Sequence, residues 1–339
     1  MFLMLWLPFL PLTAQQSLTL DRALEIAGTN SPSIQQSLLN LERYQNNLEA
    51  QRAALKSKFS LSLNPVDYTN TRRFDSRFSE WYTNETFSTN ATFRVEQPIL
   101  VTDGTLSLIN RFGWQSSTAE FTGQEATTSE RFSNNLYLAL NQPLFTYNRL
   151  KLQLKELELS YENANISYAM QRLNMERMVT QYFYSVYMAQ MNLAIAREEL
   201  ANTRKSHEII KNKVDAGLAA REELYQAELN LSQSNSTVQN RQVSFENAKD
   251  QLKMYLGMDL FEDILVMTDV EAEPVKVDLQ KAIDNGLVSR MELRQREIDL
   301  ETSQFDMIRT KALNEFNGSM NLAYGFIGDN EKLTGVFDQ

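Results

Sequence analysis

Between Pro143 and Gly257 the chain has no proline and a single glycine, Gly217. A run of this kind predicts a long helix, a reversal at Gly217 and a second helix, because nothing else in it breaks a helical ladder. At ~1.5 Å rise per residue the first arm reaches roughly 100 Å, several times what a small domain spans. A compact enzyme core has no use for such a rod. The run predicts a projecting or tunnel-forming hairpin.

Both arms carry a seven-residue repeat. Val186, Leu193, Leu200, His207 and Val214 lie seven apart on the first, with Ala189, Ala196, Thr203 and Ile210 three positions on. Leu224, Leu231, Val238, Phe245 and Leu252 do the same on the second, accompanied by Ala227, Ser234, Arg241, Ala248 and Tyr255. A heptad held on both arms predicts helices packed lengthwise with a supercoil. The small companions allow close approach, and Arg241 predicts a seam that is partly wet.

Ahead of the hairpin the period changes. Leu61 and Leu63 alternate with Ser60, Ser62 and Asn64, and Phe87, Thr89, Ala91, Phe93 and Val95 alternate with Ser88, Asn90, Thr92, Arg94 and Glu96. Leu106 and Leu108, after the Asp103-Gly104 turn signal, open a third strand; Leu136, Leu138 and Leu140 mark a fourth that ends at Pro143. Polar loops around Asp67 to Glu85 and Gln115 to Glu130, longer than tight hairpins need, lie between them. This is the pattern of a transmembrane β-barrel, whose strands alternate apolar and polar residues. No segment after the N-terminus reaches 18 uninterrupted apolar residues, so a membrane crossing has to be made by strands.

Residues 1–14 (MFLMLWLPFLPLTA) are apolar and close on a small residue, which reads as a secretory signal peptide; the absence of a basic start leaves a buried N-terminal segment as the alternative. From Leu18 to Lys58 the spacing of Ile34, Leu38, Leu41, Leu48 and Leu55 is helical, with a break at Asn30-Ser31-Pro32. The start then recurs. A shift of 259 places Ala282 on Ala23, Ile283 on Leu24, Gln295 on Gln36, Leu300-Glu301 on Leu41-Glu42, Ala312 on Ala53 and Leu322 on Leu63, without a gap. A duplicated helix-strand unit is the economical reading.

These features give the division 1–14 signal peptide, 15–58 first helix of repeat one, 59–142 barrel strands and extracellular loops, and 143–257 long periplasmic hairpin. Then follow a linker at 258–276, the first helix of repeat two at 277–317 and its first barrel strand at 318–339. The fold class is mainly α with transmembrane β: a long antiparallel helical hairpin of the tunnel or coiled-coil kind, joined to outer-membrane barrel strands, with internal duplication.

Composition excludes much chemistry. A net charge of −10 over 339 residues, with no basic cluster, argues against nucleic acid as a partner. One histidine and no cysteine remove thiol chemistry and ordinary zinc sites, so neither a metal nor another cofactor is expected. His207 falls on the apolar seam and reads as a packing residue. Glu198-Glu199 and Glu222-Glu223 are helix neighbours pointing about 100° apart, a solvated face and not an acid/base couple. No nucleophile, base and metal constellation is present, so no catalytic residue is assigned and the chain is not read as an enzyme.

Leu18-Thr19-Leu20-Asp21-Arg22-Ala23-Leu24 followed by Asn30 and Pro32, then Asn141-Gln142-Pro143-Leu144-Phe145, then Val214-Asp215-Ala216-Gly217-Leu218 and the Leu252–Gly257 helix end come in a telling order. Together they resemble the outer-membrane efflux protein family, the TolC-like exit ducts. The resemblance implies a homotrimer in outer-membrane lipid, a shared barrel and a periplasmic helical tunnel. It also implies docking to a periplasmic adaptor protein and an inner-membrane transporter. On it, Val214, Asp215, Gly217 and Leu218 form the partner-binding tip, against the plainer reading of a turn and no more, and Gln142, Pro143, Leu144 and Phe145 form the strand-helix junction. Asp215 lining a constriction is a further option.

Two departures accompany the resemblance. Four strand candidates stand where the family shows two, with a second Gln-Pro at Gln97-Pro98, so a hairpin from Val95 to Trp114 either enlarges the barrel or lies outside it. The family also implies a return strand and a second long hairpin beyond Gln339, so the chain reads as C-terminally truncated. The expected function is a passive export conduit of a tripartite efflux or type I secretion system. The alternatives are a periplasmic adaptor with a coiled-coil hairpin and a coiled-coil structural protein.

Overall fold

The computed structural model describes residues 16–77, 79–121, 125–267 and 275–336, so the expected signal peptide lies outside the described residues. The chain forms two compact units. One takes in Asn163–Leu293 with the chain up to Glu42; the other takes in Arg43–Glu162 with the chain from Arg294 onward.

The first unit contains the segment expected as one helix only in part. A short strand β1 (Gln16–Leu18) comes first, then α1 (Leu20–Asn30) and, after a break, α2 (Pro32–Ala54), which continues into the second unit. Thr19 caps α1 by accepting the Arg22 N–H at 3.4 Å, and Asp21 in the first turn faces the positive end of the helix dipole. Proline at the first position of α2 loses nothing there, since that N–H has no intrahelical partner.

The hairpin is α3 (Arg149–Asp215) followed by α4 (Arg221–Leu256). Its heptad positions on α3 are the shielded ones: Val186, Leu193 and Ala196 are buried and Leu200, Thr203, His207, Ile210 and Val214 are half-buried. On α4 Arg241 departs from the expected seam and is exposed, while its neighbour Gln242 turns inward and accepts from the Arg197 guanidinium at 2.7 Å. The departure is local, since Val238 before it and Phe245, Ala248 and Leu252 after it keep to the seam.

The segment 258–276, expected as a linker, holds β6 (Ile264–Val266), which pairs in parallel with β1. The sheet closes a core of Leu18, Ala23, Ala27, Val179, Phe183, Val186, Leu252 and Leu256. Phe183 is fully buried, Tyr184 meets it edge-on at 5.8 Å and Tyr182 lies 5.2 Å from Tyr255, so this aromatic cluster is packing. Two lysines fasten the stretch after α4. Buried Lys249 bonds Glu246 and Asp263, both at 2.9 Å, and Lys253 donates to the Leu260 and Glu262 carbonyls and pairs with Asp250. Burial by itself would lower the Lys249 pKa, but the bonds to Glu246 and Asp263 outweigh it and raise the value.

The second unit is built on one antiparallel sheet of β2 (Lys58–Asp75), β3 (Glu80–Ile99), β4 (Gly104–Phe121), β5 (Thr127–Leu144) and β7 (Gly318–Asn330), in the order β2-β3-β4-β5-β7. The additional hairpin therefore lies inside the sheet. Before β7 come α5 (Leu279–Ser289), which belongs to the first unit, and α6 (Met291–Ala312). Register puts Phe59 beside Val95, Leu108 and Leu138 in turn, and Leu61 beside Phe93, so one face is mainly apolar, with Asn110 and Asn134 bonded to each other within it. Ser62, Thr92, Arg111 and Asn135 align on the other face, which is polar. A bulge between Asn64 and Asp67 falls at Pro65, which has no N–H to give the ladder; it moves Tyr68 onto the apolar face opposite Phe87.

Candidate functional site

The hairpin tip is a helix stop made by one residue. Gly217 has φ +74°; its N–H reaches the Val214 carbonyl at 2.9 Å and the Leu218 N–H reaches the Lys213 carbonyl at 2.7 Å. This pair of bonds satisfies the last carbonyls of α3. The Leu218 side chain adds nothing to the turn and is 79% exposed, and Asp215 is exposed beside it. Val214 is half-buried on the seam. Asp215, Gly217 and Leu218 thus form an exposed cap of mixed character, while the turn itself is complete without the leucine side chain. Further along the seam His207 is half-buried and lines a shallow groove with Thr203, Glu223, Gln226 and Asn230.

The strand-helix junction is the more constructed of the two regions. The Gln142 amide donates to the Thr102 carbonyl at 2.7 Å and the Pro143 carbonyl at 2.9 Å. Leu144 is the last residue of β5 and pairs with Gly318. Phe145 takes a positive φ of 57°, rare for a residue with a side chain, and its ring lies 5.6 Å from Phe316. Gln97-Pro98 repeats the device one hairpin earlier: the Gln97 amide donates to the Leu55 carbonyl at 2.9 Å and its oxygen accepts from Ser57 at 2.6 Å. Each Gln-Pro therefore ties the exit of a strand to the preceding connection.

Two residues of this junction, Asn148 and Asp103, have roles at the start of α3 that the sequence reading did not assign. Asn148 caps α3, its oxygen accepting the Lys151 N–H at 2.8 Å while its amide donates to the Leu100 carbonyl at 2.7 Å. Asp103, buried and with φ +62°, accepts the Leu150 N–H at 3.0 Å and the Arg149 guanidinium at 2.9 Å. The turn between β3 and β4 is thus clamped onto the first turn of α3, where a carboxylate is favoured by four unpaired N–H groups and the helix dipole. Asn148 three residues before Lys151 was a readable cap signal; the role of Asp103, 46 residues from Arg149, was not.

Lower in the same unit, arginines on α2 and α6 meet a row of glutamates on α3. Arg52 pairs with Glu158, Arg309 with Glu156, and Arg294 binds both oxygens of Glu162 at 2.6 and 3.0 Å while touching Glu297 and Glu301. The Arg294 hydrogen bonds hold the Glu162 carboxyl below the usual carboxylate range.

Residues 105–258 match the family model described as outer membrane efflux protein. Among solved structures, the fold resembles CusC, with a TM-score of 0.63 at 15% identity over 94% of this chain and 62% of that one. A membrane protein from Pseudomonas aeruginosa gives 0.63 at 18%, covering 94% of this chain and 63% of that one. VceC, an outer membrane protein of Vibrio cholerae, gives 0.60 at 12%, covering 94% and 64%. No curated protein matches the sequence. The chain spans under two thirds of the length of these structures. The family that the motifs resemble is the one whose model matches residues 105–258, and these structures share the fold.

Proposed function

We propose that this chain, built on the fold of the outer-membrane efflux proteins, forms part of an outer-membrane exit duct: a passive conduit whose strands lie in the bilayer and whose hairpin stands in the periplasm. The observation that carries this reading is the depth of the apolar face. It runs over residues 59–68 of β2, 87–95 of β3, 106–114 of β4, 132–140 of β5 and 320–326 of β7, interrupted by the bonded pair Asn110 and Asn134, and Glu85, Ser116 and Glu130 bound it on the far side, beyond which the aromatic pairs Phe74–Trp81 and Tyr82–Phe121 lie. About nine residues at ~3.3 Å, tilted by ~40°, give a band of roughly 23 Å, close to the ~25 Å apolar girdle of a transmembrane barrel. The strands are 18 to 20 residues long in β2 to β5, about twice the band, so their distal halves stand clear of lipid.

In this reading three copies close the sheet into a barrel, since an open edge in lipid leaves unpaired backbone groups. The additional hairpin contributes two strands to the wall. Asp215, Gly217 and Leu218 meet a periplasmic adaptor at the tip, with Val214 as their support, and an inner-membrane transporter supplies the energy. Gln142, Pro143, Leu144 and Phe145 turn the chain from wall to tunnel. An adaptor would flank its hairpin with the halves of a compact β domain; here one continuous apolar-faced sheet carries strands from both sides of the hairpin.

The test is expression in a Gram-negative host, membrane fractionation and recording in planar bilayers. Recovery from the outer membrane only with detergent, together with discrete conductance steps, is expected. A product soluble without detergent, monomeric and devoid of β-structure by circular dichroism overturns the reading.

A further inference from the structure

The polar face of the sheet is not evenly charged. Lys58, Glu96, Ser107 and Ala139 form one row across β2 to β5, Ser60, Arg94, Ile109 and Tyr137 the next, and Ser62, Thr92, Arg111 and Asn135 a third. These rows hold three cations against one carboxylate, in a chain whose net charge is −10. The rows beyond carry Asp67 and Asp329, with Arg131 3.8 Å from Asp329, so the basic excess is confined to the first three.

Within them two arginines stand close together. Arg94 faces Ile109, two residues before Arg111, so the pair sits diagonally on neighbouring strands, ~7–8 Å apart and within reach of one ligand between them. Like charges placed so repel; Glu96, bonded to Arg94 at 3.1 Å, relieves only one of them. Arg111 is exposed and has no hydrogen bond or ion pair among the described residues. Ile109, between the two on this face, is 7% exposed, so the longer side chains around it lie over it, as arginine stems do while their charged ends stay in water. Ser60, Ser62 and Thr92 complete a shallow cleft with Arg94, Glu96 and Arg111, and none of the three hydroxyls is bonded among the described residues. The Arg111 guanidinium thus offers its planar fork of N–H donors, which matches a pair of oxygens on one atom, amid hydroxyl donors that are also free.

We infer that this cleft is a binding site for an oxyanion, the carboxylate, sulfate or phosphate group of a small solute. Arg111 is its principal ligand, Arg94 the second cation, and Ser60, Ser62 and Thr92 supply hydroxyl donors. Chloride has no pair of oxygens for the fork and is held less well. The site stands on the geometry of the sheet alone. Its use rests on the duct reading: there the polar face lines the water path, and one site per copy gives the wall a girdle of arginines that favours anions over cations.

The probe is sodium sulfate, titrated against sodium chloride at constant ionic strength into the intact chain in an uncharged detergent, with the arginine Nε–H signals followed by NMR. A saturable shift of the Arg94 and Arg111 signals is expected. Arg111→Gln should weaken sulfate about tenfold, equivalent to ~1.4 kcal/mol, read from Arg94. Arg111→Lys keeps the charge but not the fork and should recover only part of the affinity, whereas Arg131→Gln, which removes the same charge outside the cleft, should leave it unchanged. Shifts that do not saturate, or equal losses in Arg111→Gln and Arg131→Gln, overturn the proposal, the latter by assigning the anion to diffuse surface charge. In planar bilayers under a KCl gradient, Arg111→Gln should move the reversal potential away from chloride. A potential that stays where it was overturns the role in passage, and sulfate binding by a chain that forms no channel supports the site while overturning the duct reading.

Discussion

Gly217 and Gly257 form a natural pair for testing what holds the first unit together. Both end long helices with positive φ, +74° and +71°, and both show the same two bonds, from C′ and C″ N–H groups to carbonyls in the last turn. They differ in their surroundings. A Cβ at Gly217 would have nothing within 4 Å; one at Gly257 would overlap the Asn30 carbonyl oxygen and lie 3.0 Å from the carbonyl carbon. Gly217→Ala therefore carries only the left-handed penalty of about 1–2 kcal/mol. Gly257→Ala carries the same penalty plus displacement of backbone where α1 and α4 meet, about another 1–3 kcal/mol by the usual cost of overpacking. Urea unfolding in detergent, followed by helical ellipticity, gives the two totals, and amide exchange at Ala23 and Ala27 locates the loss. The double difference removes everything the two sites share. Losses equal within about 0.5 kcal/mol, or unchanged exchange in α1, would refute the idea that Gly257 is needed for close approach and not only for its turn.

Asp103→Ala should open the first turn of α3, costing about 1–2 kcal/mol as a lost cap does, with Asp103→Asn retaining part of it; exchange at Leu150 reads both. Acid should loosen α6 from α3. Because Glu162 is depressed below its ordinary 4.5, its contribution is intact above that value and is lost as pH falls through the lowered one; Glu162→Gln should flatten this limb of an exchange-versus-pH profile. Lys249 has the opposite sign: raised above 10.5, its contribution is intact below that pH and is lost only as alkali passes the higher value, a limb that Lys249→Met should abolish. On β5, Leu138→Lys should block outer-membrane assembly, at about 2–4 kcal/mol near the bilayer midplane, whereas Ala139→Lys on the polar face should be tolerated; equal yields of the two in the outer-membrane fraction would count against a barrel wall. Leu218→Ser should leave unfolding unchanged and weaken capture of a periplasmic adaptor, measured by co-purification.

By itself the sequence determined whatever depends on neighbours a few residues apart. A breaker-free run can only be helix, one glycine in it can only be the reversal, and alternation of Leu and Ser fixes which side of a strand is apolar. It also held the duplication, because a 259-residue shift is legible without coordinates. Tertiary structure decided what depends on partners far along the chain. Three-residue strands are too short to show a period, so β1 and β6 could be recognised only when residues 248 apart lay side by side. Asp103 looked like a hairpin residue until the start of α3 was brought to it, and Arg241 belonged to the seam until the Arg197 guanidinium on the facing helix drew Gln242 inward beside it. Whether the additional hairpin joins the other strands was settled by pairing, which puts it inside the sheet, since a strand's place in a sheet is set by which edges meet, and edge matching is a contact between distant segments that no local pattern encodes.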